Sequence, residues 1–339
     1  MSATRVFSGI QPSGELHLGN YFGAIQNWVR MQDNDDCVYC VVDYHALTGR
    51  TGRESDKLQD PRHESLATMS LRMAGDLIAC GIDPQRAIIF VQSHVPQHTE
   101  LAWVFNCVAS YGDLQRMTQF KDKSERSDFI SVGLFTYPVL QAADILLYHA
   151  ARVPVGEDQV QHLELARRIG RRFNTLIGED YFPEVEAQLT EGKRIMSLAD
   201  PTQKMSKSLG EKHYVGLMED PDSIWKKVRS AVTDTGTGGG DSMSPGVANL
   251  FELLDLCGAP ADVIGEFKAQ HADGAIRYGD LKTAVRDHLM TVLDPIRERR
   301  AALSDDDVRD ILADGAGRAG EIARQTMADV HRFAGVGAY

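Results

Sequence analysis

The chain has 339 residues, 43% of them apolar, which is enough to bury a sizeable core and, by length, favours two domains over one. No run of roughly 18 apolar residues occurs, and the N-terminus lacks the basic, apolar and small-residue succession of a signal peptide, so a membrane span is excluded and a cytoplasmic protein is expected. The formal charge of -12 provides no overall basic footprint for neutralising phosphates, so any contact with nucleic acid has to come from a local patch.

In chain order, Arg5 to Ile10, Val38 to Asp43 and Ala87 to Gln92 are short apolar runs that predict buried strands. The stretches between them, such as Tyr21 to Met31 and Glu64 to Cys80, have helical periodicity. Strand and helix in alternation predict a parallel, doubly wound α/β sheet, whose ligands lie beyond the carboxyl ends of the strands. Gly49 to Pro61 is polar and predicts an exposed loop after the second strand, and Val160 to Phe173 predicts a further helix. From about Trp225 the pattern turns helical throughout, in Asn249 to Cys257, Asp262 to His271, Asp280 to Leu303 and Asp305 to Phe333. Asp234 to Ser244, rich in glycine and threonine, predicts a linker or loop.

The five cysteines, Cys37, Cys40, Cys80, Cys107 and Cys257, are odd in number and irregularly spaced, which favours free thiols over a disulfide framework. Cys37 and Cys40 match C-x-x-C, but within a strand such positions face opposite ways and converge poorly on a metal. His94 and His98 have a ligand-like spacing that Pro96 interrupts, so no metal site is predicted there. Arginines cluster at Arg167, Arg168, Arg171 and Arg172, and again at Arg297, Arg299 and Arg300. Such clusters are usually solvated helix faces, and they support a nucleic-acid contact only weakly.

Two segments carry most of the chemistry. Ser8 to Asn20 joins the end of a strand to the start of a helix, with glycines that permit close backbone approach and free N–H groups that suit an anion. An ordinary β-α turn favours the same residues. Far downstream, Asp200 to Ser208 sets Lys204 and Lys207 three positions apart among small hydroxyl residues, in a loop opened by Pro201. Two ammonium groups on one loop suit a pyrophosphate whose charge grows as it departs.

Those segments resemble the two signatures of class I aminoacyl-tRNA synthetases: Pro12 to Asn20, centred on His17-Leu18-Gly19-Asn20, is similar to the HIGH motif, and Lys204 to Ser208 spells KMSKS. Asn20 departs from the last histidine of the first motif, but that ending and the preceding Gly9-Ile10-Gln11-Pro12-Ser13-Gly14 are features of the tryptophanyl branch. Asp43 to Thr48, Arg116 to Lys121, Tyr137 to Tyr148, Val153 to Gln159 and Ser230 to Asp234 extend the resemblance over nearly the whole chain.

The resemblance implies a Rossmann-like catalytic domain over 1–210 and a mostly α-helical anticodon-binding domain over 211–339. It also implies ATP-dependent activation of L-tryptophan to an adenylate, transfer to tRNA(Trp), and a homodimer. Asp144 would receive the indole N–H, since a carboxylate in so apolar a stretch needs a donor; a helix-capping or ion-paired aspartate is the plainer alternative. Phe7, Gly9, His45, Val153 and Val155 would wall the amino-acid pocket, and Tyr137 and Gln159 would hold its ammonium or carboxylate. Gln141 stands where many relatives carry methionine, which sets an amide near the indole. Gln11, Pro12, Ser13, Gly19 and Asn20, the ribose turn Gly156, Glu157 and Asp158, the adenine contact Ile195, and Lys204, Met205, Ser206, Lys207 and Ser208 would bind ATP with its Mg²⁺, with no tightly bound metal. His17, Asn20, Lys204, Lys207 and Lys121, the last in a charged surface loop over Lys121 to Asp128, would be catalytic. Two other readings stay open: a tyrosyl-tRNA synthetase, which shares fold and signatures, and a synthetase-like protein that binds tryptophan without charging tRNA.

Overall fold

Runs of β-branched and aromatic residues bounded by turn residues form the first three strands, β1 (Arg5–Ile10), β2 (Asp36–Val41) and β3 (Ile88–Val91). Two more, β4 (Arg152–Val155) and β5 (Glu186–Leu189), lack that signature, since β4 contains Pro154 and β5 is partly exposed. All five are parallel, in the order β3-β2-β1-β4-β5. The computed structural model of the protein describes residues 4–50, 64–124, 129–189, 195–233 and 243–337.

The helices of the first half are α1 (Leu18–Asn20), a π-helical turn at Tyr21–Ile25, α2 (Gln26–Met31), α3 (Asp43–Arg50), α4 (Leu66–Ala79), α5 (Gln97–Val108), α6 (Tyr111–Gln115), α7 (Thr118–Ser124), α8 (Val132–Leu146) and α9 (Val160–Ile177). The second half contributes α10 (Pro221–Arg229), α11 (Pro245–Leu256), α12 (Ala261–Ala272), α13 (Tyr278–Ala302) and α14 (Asp305–Ala334). Among the described residues no helix is long and apolar enough to cross a membrane. The expected loop at Gly49 to Pro61 begins as the end of α3, and 51–63 lie outside the described residues. Most of the expected linker, 234–242, does so too.

Alternation along β2 sorts its side chains between two cores: Cys37, Tyr39 and Val41 join one layer, Val38 and Cys40 the other. The two cysteines are thus on opposite faces, and each is buried. The first layer runs without a break from the sheet into the helical half, through Ile224, Leu250 and Leu293. Helix α14 crosses between layers, with Val308 and Leu312 in the first and Ala319, Ala323 and Met327 in the second. It crosses at Gly315, where a Cβ would lie 1.9 Å from the Ile89 carbonyl oxygen, so glycine is what lets the helix backbone cover the β3 edge of the sheet.

The sheet order reverses between β1 and β4, the point where open α/β sheets form a crevice. Pairing there is confined to Val6 opposite Arg152, and Pro154 beyond it has no N–H to offer. The strands therefore separate toward their carboxyl ends and leave a cleft.

Candidate active site

The cleft has a volume of about 810 Å³, and β1 and β4 supply its floor through Phe7, Ser8, Gly9, Val153, Pro154 and Val155. Above β1 the chain makes a tight turn in which Gly14 has φ +84°, a left-handed conformation that favours glycine. His17 then caps α1: its Nδ1 accepts the Gly19 N–H at 3.1 Å, while Asn20 Oδ1 accepts the His17 N–H at 3.1 Å. The Asn ending of the motif thus completes a reciprocal cap. Burial first, then the charges of Lys207 and Lys204, holds His17 down to about 4. A neutral ring that accepts at Nδ1 carries its proton on Nε2, so His17 is a donor there.

The lysine loop is brought to this turn by backbone pairing. Ser197 N–H donates to Gln203 O at 2.8 Å and Met205 N–H to Ile195 O at 3.0 Å, which closes a hairpin. On its far side Leu18 N–H donates to Val215 O at 3.0 Å and Leu217 N–H to Leu16 O at 2.9 Å, tying the first motif to the strand-like segment after the second. Lys204 lines the cleft. The Lys207 ammonium donates to the backbone carbonyls of the first turn, at Ser13 and Glu15. Ser206 Oγ accepts from Ser208 N–H at 3.3 Å, which shapes the loop end.

Not every residue expected at the nucleotide offers its side chain to the cleft. Ile195 and Met205 are buried in the first core layer, at 1% and 2% exposure, Pro12 is buried as well, and none of the three lines the cleft. Lys121 is exposed but does not line the cleft. The surface loop expected from Lys121 begins instead as the last turn of α7, through Ser124; 125–128 lie outside the described residues. Gln119, two positions earlier on the cleft side, was not among the expected residues. Its Nε2 donates to Asp158 Oδ2 at 3.2 Å, joining α7 to the Gly156–Asp158 turn. At that turn a Cβ on Gly156 would meet Asp158 Oδ1 at 2.8 Å.

At the inner end lies Asp144, 1% exposed, on the last turn of α8. Protein donors meet it already: Gln92 Nε2 and His98 Nδ1 reach Oδ1, and His45 Nε2 reaches Oδ2, each at 2.7 Å. Burial alone would push this carboxyl up, but the imidazoles, His45 foremost, outweigh it and hold the group well below the usual carboxylate range. The expectation that a ligand N–H is its needed donor is thus corrected to a narrower one. Of about four acceptor positions on a carboxylate the described residues fill three, and the one they leave is on Oδ2. Tyr137, Gln141, Gln159 and His45 line the cleft beside it. Tyr137 shares a hydrogen bond of 2.9 Å with His162, and Gln141 Nε2 donates to Gln159 Oε1 at 3.4 Å.

His98, set aside in the sequence with His94, is a further residue whose role the sequence reading missed, as is Gln92. His94 is exposed, whereas both ring nitrogens of His98 are occupied inside the fold, so the two do not form a metal site. Among the described residues no group of three or more His, Cys, Asp or Glu could hold a metal ion. The arginine clusters are also largely engaged within the protein: Arg171 pairs with Glu184, Arg168 with Asp113 and Glu164, Arg299 donates to Ala79 O at 2.6 Å, and Arg300 pairs with Asp76 at 3.1 Å.

Residues 1–294 match the family model of class I tRNA synthetases (W and Y). A tryptophan–tRNA ligase of Caldanaerobacter subterraneus subsp. tengcongensis is 43% identical over 98% of this chain and 98% of its own. The chain belongs to the tryptophanyl-tRNA synthetases. The tryptophanyl-tRNA synthetase of Campylobacter jejuni, solved with ADP and tryptophan, superposes with a TM-score of 0.85 at 32% identity, over 98% of this chain and 100% of that one. That of Mycoplasma pneumoniae gives 0.81 at 32%, over 99% and 98%. The tyrosyl-tRNA synthetase of Archaeoglobus fulgidus, at 0.67 and 21% over 88% and 90%, shares the fold. As a synthetase of this family the chain is a Rossmann-like α/β enzyme, and its two signature motifs meet at one cleft.

Proposed function

We infer that this cleft is where the synthetase activates L-tryptophan with ATP and loads it onto tRNA(Trp). The observation that carries the reading is that Lys204 lines the cleft while Lys207 of the same loop donates to the Ser13–Glu15 turn that leads into α1, beside a recess that ends in the buried Asp144 carboxylate. Tryptophan lies with its ring against Phe7, Gly9, His45, Val153 and Val155 and its N–H on Asp144 Oδ2. Tyr137 and Gln159 meet its ammonium and carboxylate, and Gln141 sets its amide near the indole. ATP runs from the backbone at Ile195 and Met205, across the carboxylates of Glu157 and Asp158 for the ribose, to Gln11, Ser13, Gly19 and Asn20 for the α-phosphate.

The tryptophan carboxylate attacks the α-phosphorus in line, and the bond to the bridging oxygen breaks, releasing pyrophosphate with the Mg²⁺ that ATP brings. The nucleophile belongs to the substrate, so the enzyme's part is positioning and stabilisation of charge. His17 donates from Nε2, while Lys204 and Lys207 neutralise the leaving group. A terminal ribose hydroxyl of tRNA then attacks the adenylate carbonyl and AMP departs.

The helical region from 211 onward, by way of α10 to α13, reads the anticodon end, since α14 is occupied in covering the sheet. The enzyme is cytoplasmic and a homodimer, and the exposed apolar residues Trp103, Tyr111 and Val132, at 71%, 69% and 77%, favour the second subunit. The test is amino-acid-dependent pyrophosphate exchange followed by aminoacylation of tRNA(Trp). Tryptophan should drive both; exchange driven by tyrosine, or tryptophan binding without charged product, overturns the reading.

A further inference from the structure

Behind the recess lies a buried relay that the reaction itself does not use. His98 is 0% exposed, as is Tyr148, and its ring bridges them: Nδ1 to Asp144 Oδ1 at 2.7 Å and Nε2 to the Tyr148 hydroxyl at 2.8 Å. An ionised carboxylate only accepts, so Nδ1 must carry a hydrogen whatever the charge of the ring. In the neutral ring Nε2 then accepts from Tyr148, and the donors run in one direction, tyrosine to histidine to aspartate. Such a chain has a single low-energy arrangement, because reversing any member leaves a buried group unpaired.

The consequence falls on Asp144. With Gln92 and His98 both on Oδ1, the carboxylate cannot rotate without breaking two buried bonds, so the vacant acceptor position stays on Oδ2, beside His45 at the cleft. Tyr148 is fixed in turn by stacking on Phe7, with ring centroids 5.7 Å apart and planes 8° from parallel. Phe7 lines the cleft, so one relay orients the acceptor and braces the wall against which the ring lies.

We propose that His98, seated by Tyr148, is a positioning residue that aims Asp144 at the indole N–H and thereby sets discrimination against amino acids of the same shape without that donor. This rests on the reading of Asp144 as the indole acceptor. The probe is pyrophosphate exchange with tryptophan and with 3-(3-benzothienyl)alanine, which replaces the indole N–H by sulfur. For His98→Leu, KM for tryptophan should rise about 10- to 100-fold with kcat little changed, while KM for the sulfur analogue moves by less than about threefold. His98→Asn, which keeps an N–H near the place of Nδ1, should restore most of the preference, and Tyr148→Phe should erode it partly. A parallel rise for both substrates would mean a structural role only and overturns the proposal, as does an unchanged ratio. Asp144→Asn separates the two levels. A preference lost there but kept in His98→Leu defeats the relay alone, whereas a preference kept in both defeats Asp144 as acceptor. Should His98→Leu fail to fold, His98→Asn and Tyr148→Phe decide by the same ratio.

Discussion

The Lys207 ammonium donates to the Ser13 carbonyl oxygen at 2.5 Å across 194 positions of sequence, and to the Glu15 carbonyl at 2.9 Å. Two neutral carbonyls are modest partners for a half-buried cation, and burial lowers its pKa against the opposing pull of Glu15. A phosphate anion entering between turn and loop meets an ammonium that is already placed and poorly compensated. The stabilisation it gives grows as pyrophosphate charge develops, which is where such a group accelerates a displacement.

Lys207→Ala should therefore lower tryptophan-dependent pyrophosphate exchange by about 10²–10³-fold. Tryptophan affinity, measured by calorimetry, should change little, because the recess lies at the other end of the cleft. An exchange rate within a few-fold of the parent would remove Lys207 from the reaction.

Much of this was legible in sequence, and what was not has physical causes. β2 and β3 have apolar runs long enough to announce buried strands, and α11 to α14 repeat apolar residues at helical spacing. β4 is four residues long with a proline inside it, and β5, Glu-Ala-Gln-Leu, has no strand pattern of its own. Both hold their place through pairing with each other. His98 did leave a signal: with Leu101, Ala102 and Phe105 it makes the i, i+3, i+4, i+7 stripe of a core-facing helix, and all four are buried. Weighing it only as a partner for His94 concealed that. The engagement of Arg299 and Arg300 could not be read, because their partners, the Ala79 carbonyl and Asp76, come from the distant helix α4, whereas Glu164 stands at helical spacing from Arg168 on α9 itself.

His17 should stay neutral across the working range. With its ring held down to about 4 by burial and by Lys207 and Lys204, the folded state resists protonation that the unfolded chain accepts near 6.5. The residue therefore withdraws stability as pH falls from 6.5 toward 4 and none above it. An imidazole proton resonance assigned by His17→Asn should titrate near 4 in the free enzyme; a midpoint near 6.5 would contradict the donor role given to Nε2.

Removing the Asp144 side chain should affect stability as well as recognition. Asp144→Ala strands the donors of His45, Gln92 and His98 in a buried site, a loss of about 3–5 kcal/mol by analogy with other broken buried pairs. Tryptophan affinity should fall alongside the unfolding midpoint. Wild-type affinity in a folded variant would take Asp144 out of the recognition scheme.

Asp76 predicts a pH dependence of the opposite kind to most carboxylates. Desolvation raises it to about 6, against the pull of Arg300 and Arg72. The folded chain then binds this proton more tightly than the unfolded chain, so stability from this residue declines as pH rises from about 4 to 6. Asp76→Asn keeps an acceptor for Arg300 and abolishes the titration. Between pH 4 and pH 7 the parent should lose about 2–3 kcal/mol relative to the variant in denaturant unfolding. A constant difference would show that Arg300 fully compensates the buried charge.

The crossing of α14 over β3 supplies a test of how the last helix is held. A methyl at Gly315 would sit 1.9 Å from the Ile89 carbonyl oxygen, and neither backbone can yield without disturbing the strand's pairing with β2. Two positions on, Gly317 meets nothing within 4 Å. Gly315→Ala should therefore cost about 3 kcal/mol or more through forced separation of helix and strand, while Gly317→Ala, relieved of glycine's helical penalty, should gain about 0.5–1 kcal/mol. Thermal unfolding of the pair distinguishes close backbone contact from helix propensity, since propensity alone would stabilise both. If Gly315→Ala is as stable as Gly317→Ala, the helix does not rest on the strand, and the sheet edge is covered in some other way.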